Sequence, residues 1–149
     1  MDSKLITKLV IRDCMRKNHI FTIPNAIFGN IEMDVFSVTR AEKVYEFEVK
    51  ISRSDYLADF KKVTKHRLLK EGKYWANKFI YVVPEGLIQP EEVPDYAGLY
   101  YLKYKDWHTW EFVVVKRPPW VNKDDNYTFR LKELAVKVYH RYIWNFIHV

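Results

Sequence analysis

The chain is poor in the residues that would tie it down covalently or loosen it. Its single cysteine, Cys14, excludes an internal disulfide, and no Cys/His spacing of the zinc-binding kind accompanies it. It reads as a small buried residue on a helix. Four glycines and six prolines leave little room for disordered or low-complexity tracts. No apolar run is long enough to span a membrane. The first residues, with Asp2, Lys4 and Lys8 among them, lack the unbroken apolar stretch of a signal peptide. The expectation is a cytoplasmic protein without membrane contact. A Gly-x-x-x-x-Gly-Lys run is missing, which argues against P-loop nucleotide hydrolysis. No motif supports serine or cysteine hydrolase chemistry.

What is present is a core and an excess of cations. Hydrophobic residues make up 48% of 149 positions, enough for one domain over residues 1–149. Lys and Arg number 25 against 19 Asp and Glu, a formal charge of +6. That balance permits a polyanionic partner without requiring one.

Along the chain, Leu5, Ile6, Leu9, Val10, Cys14 and Met15 recur near helical spacing, which predicts an amphipathic helix over residues 2–17. Residues 20–28 are apolar but broken at Pro24-Asn25, so any strand there is short or interrupted. Residues 31–38 alternate, with Ile31, Met33, Val35 and Ser37 expected on one face and Glu32, Asp34 and Phe36 on the other. A second alternating run puts Tyr45, Phe47, Val49 and Ile51 on one side and Val44, Glu46, Glu48 and Lys50 on the other. The short link between the runs predicts an antiparallel hairpin, and in that pairing Asp34, Glu48 and Lys50 can share a face.

Ser52-Arg53-Ser54-Asp55 reads as a capping box opening a helix that carries Tyr56, Leu57, Phe60 and Val63 inward and ends near Gly72. Residues 78–83, ending at Pro84, form a continuous apolar run of the kind buried on both faces of a sheet. Residues 89–94 read as an acidic loop or a short helix with proline at its start. Two further strands are expected over residues 98–104 and 109–116, joined by a turn near Lys105-Asp106. A last amphipathic helix runs from Thr128 onward. The order predicts an α/β fold, a mixed sheet flanked by helices.

Glu-x-Lys on a strand is by itself the ordinary pattern of a solvated sheet face. Here Asp34 lies on the preceding strand and a capped helix follows the lysine directly. Phosphodiester hydrolysis needs a metal that neutralises phosphate charge and activates water, and magnesium accepts one or two carboxylates together with waters. Asp34 and Glu48 supply the carboxylates and the Val49 carbonyl a further oxygen. Lys50 can orient the attacking water or stabilise developing charge.

Asp34, a thirteen-residue gap and then Glu48-Val49-Lys50 resemble the PD-(D/E)xK nuclease signature. The continuation Ile51-Ser52-Arg53-Ser54-Asp55 is similar, more narrowly, to the MmcB-type DNA-repair proteins of that superfamily, and the likeness extends over residues 30–102. The resemblance implies a restriction-endonuclease-like core and a magnesium- or manganese-dependent nuclease acting on DNA, in repair or in phage or host DNA processing. It makes Asp34, Glu48 and Lys50 catalytic, with Asp34, Glu48 and Val49 on the metal. Met33 stands where the signature has proline. Many members add a glutamate from the first helix, whereas this helix offers Asp2 and Asp13, with Glu32 and Glu46 as local substitutes.

Six Lys and Arg residues fall within residues 61–73, a density suited to phosphate contacts. Ser52, Arg53, Lys61, Lys62, Lys65 and Arg67 are therefore the expected DNA-binding residues. Tyr74, Trp75, Trp107, Trp110 and Trp120 could stack on bases but are more often core. His66 and His108 are expected at the surface. The alternatives are a non-catalytic nucleic-acid-binding protein on the same fold, or a structural module. A second copy of the chain or a protein partner could supply specificity.

Overall fold

Asp2 accepts a hydrogen bond from the Leu5 amide at 2.8 Å and so caps α1 (Ser3–Arg16). The helix buries Ile6, Val10 and Cys14, one residue per turn on one stripe. The computed structural model describes residues 1–28 and 31–148. After α1 come β1 (Phe21–Phe28), β2 (Ile31–Val38), β3 (Val44–Val49), α2 (Arg53–Asp59), α3 (Val63–Lys70), β4 (Lys78–Pro84), β5 (Ala97–Asp106), β6 (Thr109–Lys116) and α4 (Asn126–Ile147), with a 3-10 turn at Pro90–Glu92.

The strands form one open, mixed sheet in the order β1-β2-β3-β4-β5-β6. Strand β4 runs parallel to β3 and β5, and the other neighbours are antiparallel. The fold is therefore α/β, as the order of elements predicts. Phe79 to Val83 are fully buried, which accounts for the unbroken apolar run of β4. Helix α1 covers one face of the sheet, where Ile6, Val10 and Cys14 meet Val35, Phe47, Val49, Ile80 and Val82. Helices α2 and α3 cover the other, where Tyr56 and Leu69 meet Val44, Phe79 and Tyr81.

The alternation expected for residues 31–38 does not hold through the strand. Ile31 and Met33 pack on the α2–α3 face, and so do Phe36 and Val38, whereas Val35 packs under α1. The phase shifts by one residue at Asp34. Strand β1 shifts with it: Phe21 and Ile23 share a cluster with Ala26. Between the pairs Pro24↔Val35 and Ala26↔Met33 stand Asn25 and Asp34, and Asn25 has φ +53°, a conformation asparagine tolerates better than most residues. The Pro24-Asn25 break thus bends an eight-residue strand without ending it.

The helix expected from Ser52 to Gly72 is two helices. The Lys61 and Lys62 amides donate to Ala58 and Asp59 carbonyls at 3.1 Å each, tightening the turn that separates α2 from α3. Tyr56 is buried as expected and Phe60 packs on the same core. Leu57 and Val63 are not inward: they are 56% and 71% exposed. Gly72 does end α3, at φ +73°. The Lys73 amide bonds to the Leu68 carbonyl at 2.9 Å and the Gly72 amide to that of Leu69 at 3.2 Å, a Schellman pattern.

Helix α4 is seated lightly. Leu134 is its buried apolar side chain among the described residues, while Tyr139, Tyr142, Trp144 and Phe146 are exposed. Arg130 lies over the Trp75 ring, 3.5 Å from its centre. Arg141 donates to the carbonyls of Pro24 and Asn25, both at 3.0 Å. Among the described residues no helix is long and apolar enough to cross a membrane.

Candidate active site

Strand β3 supplies Glu46, Glu48 and, just past its end, Lys50 to the α2–α3 face, as the alternation predicts. All three are buried. Burying charge is costly unless it is paired, and the pairing comes from the two short helices. Lys65 of α3 places its Nζ 3.0 Å from Glu48 Oε1, 3.5 Å from Asp59 Oδ1 and 3.6 Å from Glu46 Oε2. Lys50 Nζ lies 3.6 Å from both Glu48 Oε2 and Asp59 Oδ1. Asp59 Oδ2 accepts from the Tyr81 hydroxyl at 2.7 Å and meets His66 Nε2 at 2.9 Å. The other His66 nitrogen, Nδ1, sits 2.6 Å from the Tyr96 hydroxyl. Tyr74 donates to Glu46 Oε1 at 2.5 Å.

This network explains the break between α2 and α3. A continuous helix would carry Lys65 and His66 past Asp59; the tight turn folds them back onto it.

Asp34 reaches the network from elsewhere. The phase shift keeps it from the face shared by Glu48 and Lys50, contrary to the expected register. Its Oδ2 accepts the Val49 amide at 2.8 Å, where β2 and β3 have ceased to pair. It opens, with Val49, into a pocket on the α1 side of about 290 Å³. Across the strand gap it still meets Glu48: burial first, then the Glu48 charge and hydrogen bond, push the Asp34 pKa up to about 7 against the opposing Val49 amide and Lys50.

The other shifts have equally local causes. Burial pushes Glu46 up to about 8, with Lys65 opposing it. Burial also works against the charged form of Asp59, but His66, Lys65, Tyr81 and Lys50 more than offset it and hold that carboxyl below the ordinary range. Three carboxylates keep Lys65 charged in spite of its burial.

The expected DNA-binding residues disperse. Lys61, Lys62 and Arg67 are exposed, with Lys62 3.4 Å from Asp59 Oδ1. Lys65 is 7% exposed, so it belongs to the buried network and not to the surface. Ser52 Oγ accepts the Asp55 amide at 3.1 Å and caps α2. Arg53 makes a two-point pair with Glu92 at 2.5 and 3.2 Å and donates to the Leu87 carbonyl. His66 is likewise no surface histidine. Asp59 carries no expectation from the sequence, and Lys65 is expected on the DNA-binding surface; the reach from Lys65 back to Asp59, six positions apart, follows no helical spacing and leaves no signal in the sequence.

The donor set suits a hard cation that keeps most of its water. It has the carboxylates of Asp34 and Glu48, a neighbouring backbone oxygen at Val49 and no soft ligand. Glu46, Glu48 and Asp59 surround the buried ammonium of Lys65, and Glu48 and Asp59 also meet that of Lys50. Among the described residues no group of three His, Cys, Asp or Glu side chains is placed to hold a metal ion.

No protein-family model matches the chain, and no curated protein matches it. A solved structure of a protein of unknown function from Silicibacter pomeroyi is similar in fold, with a TM-score of 0.63 at 18% identity, over 89% of this chain and 82% of that one.

Proposed function

We propose that this chain is a metal-dependent nuclease that hydrolyses DNA phosphodiesters on a restriction-endonuclease-like fold, in DNA repair or in phage or host DNA processing. The observation that supports the reading is the placement of Asp34 opposite Glu48, where β2 and β3 part, with its carboxylate on the Val49 amide. Asp34, Glu48 and the Val49 carbonyl would hold magnesium or manganese, which neutralises phosphate charge and lowers the pKa of water when bound. Asp34 presents its carboxylate to the open pocket, fixed by the Val49 amide. Glu48 is held in place by cations at both oxygens. Lys50 adds positive charge behind the reacting phosphate, and Asp59 holds its ammonium from the inner side.

One observation favours a second reading, a nucleic-acid-binding protein without catalysis. Lys50 is 7% exposed and is turned towards Glu48 and Asp59, away from the pocket that Asp34 lines. Cleavage of single-stranded, duplex and forked DNA with magnesium or manganese separates the two. The nuclease reading expects cutting that falls at least about a hundredfold in Asp34→Ala and Lys50→Ala, with folding checked by circular dichroism. Salt-sensitive binding without any cutting would favour the second reading. Cutting that survives both substitutions would remove the proposed site.

A further inference from the structure

Among the described residues, exposed cations without an ion-pair partner stand on both sides of the sheet. Lys61, Arg67 and Lys70 are exposed on the α2–α3 side. That side is closed over the carboxylates: Lys65 and Leu69, on the inward face of α3, are buried against Glu48 and the core. A strand of DNA lying on the outer surface of α3 would have the helix itself between its phosphates and Glu48.

The α1 side is open at this level. Lys4, Thr7 and Lys8 of α1 line one pocket with Asn25, Asp34 and Val49. Both lysines are exposed, and among the described residues neither has an ion-pair partner. At the far end of α1 the cations are already committed, Arg16 and the following Lys17 both pairing with Asp13 at 2.6 and 2.8 Å. The pocket thus brings two free ammoniums to the one side from which the Asp34 carboxylate can be approached.

We infer that this pocket is the subsite for the DNA backbone, with Lys4 and Lys8 holding the phosphates next to Asp34, and that the basic surface of α3 is not. The inference rests on the nuclease reading for what happens at Asp34, but it makes a separate claim about where DNA lies. Lysine suits this role because it acts as a point charge, attracting the backbone without reading bases.

The test is binding of a fluorescent 20-base-pair duplex in EDTA, titrated with salt, by the wild type, Lys4→Glu/Lys8→Glu and Lys61→Glu/Arg67→Glu. All four positions are exposed, and thermal melting of each variant confirms that the fold is kept. The α1 variant should bind at least about tenfold more weakly, with a salt slope shallower by about 1.8, two phosphate contacts at about 0.9 each. The α3 variant should change less than about twofold. Loss in the α3 variant alone, or equal loss in both, overturns the inference. Asp34-dependent cutting with unchanged binding by the α1 variant removes this inference and leaves the nuclease reading in place. A wild type that neither binds nor cuts removes both.

Discussion

The two faces of the sheet are made by alternate residues of the same strands and have little chemistry in common. Under α1 the contacts are those of an ordinary core, and Ser37 is the polar side chain buried there among the described residues, satisfied by His19 and Thr22 at 2.6 and 2.7 Å. Under α2 and α3, Glu46, Glu48, Lys50, Asp59 and Lys65 are buried together, and Glu46 Oε2 has no hydrogen-bond partner, only Lys65 Nζ at 3.6 Å. A hydrophobic replacement of such a network often costs nothing or stabilises. Stability alone therefore does not call for the charged face.

The largest effect should come from removing one cation from the charged face. Lys65→Ala leaves three carboxylates facing a single buried ammonium, and thermal unfolding should show a loss of about 3–5 kcal/mol. Ile6→Val, an equally buried change under α1, should cost about 1 kcal/mol. If the two losses are equal, the faces do not differ in the way described. Rescue of Lys65→Ala towards low pH, where the carboxyls are neutral, would sharpen the contrast.

The next effect is smaller and depends on pH. The Asp34 pKa is raised from 3.8 to about 7, so the folded state binds its proton more tightly than the unfolded chain does. Its contribution to stability is complete below pH 4 and is lost as the pH rises through 7. Asp34→Asn should therefore melt higher than the wild type at pH 8, by at most about 4 kcal/mol, with the gap closed at pH 4. Magnesium should narrow the gap at pH 8 by stabilising the wild type and not the variant. A gap independent of both pH and magnesium would separate Asp34 from Glu48 and from any cation.

Much of this was legible in the sequence. Period two along residues 44–50 placed Glu46, Glu48 and Lys50 on one side correctly, since a regular strand in the middle of a sheet has no freedom to do otherwise. The apolar run of β4 and the stop at Gly72 were equally direct. The alternation puts Asp34 on the wrong face, because the phase shift falls beside Asn25 of the neighbouring strand and is not announced by residues 31–38 themselves. Lys65 and His66 looked like part of a solvated basic run. Their burial follows from a break at residues 60–62 whose reason, the reach back to Asp59, exists only in three dimensions. The apolar stripe of α4 predicted a helix but not that so much of it would stay uncovered.

The smallest effect is expected at the rim of the charged face. Arg53 and Glu92 pair at the surface, and contact with Arg53 holds the Glu92 pKa down at about 2. Because both groups are solvated, Arg53→Ala should lower the melting temperature only slightly, and the difference should shrink as salt is added. A large loss that persists in salt would mean that the bond from Arg53 to the Leu87 carbonyl, and not the ion pair, holds the loop after β4.

Arg141 gives the C-terminal helix an importance that its sparse packing conceals. Its guanidinium clasps the carbonyls of Pro24 and Asn25 from 117 and 116 positions downstream, at the very bend that turns Asp34 out of register. A chain trimmed ahead of that arginine would retain every residue of the Asp34, Glu48 and Lys50 constellation, and a comparison of sequences would judge it whole. It would have lost a fastening of the bend that stands beside the aspartate.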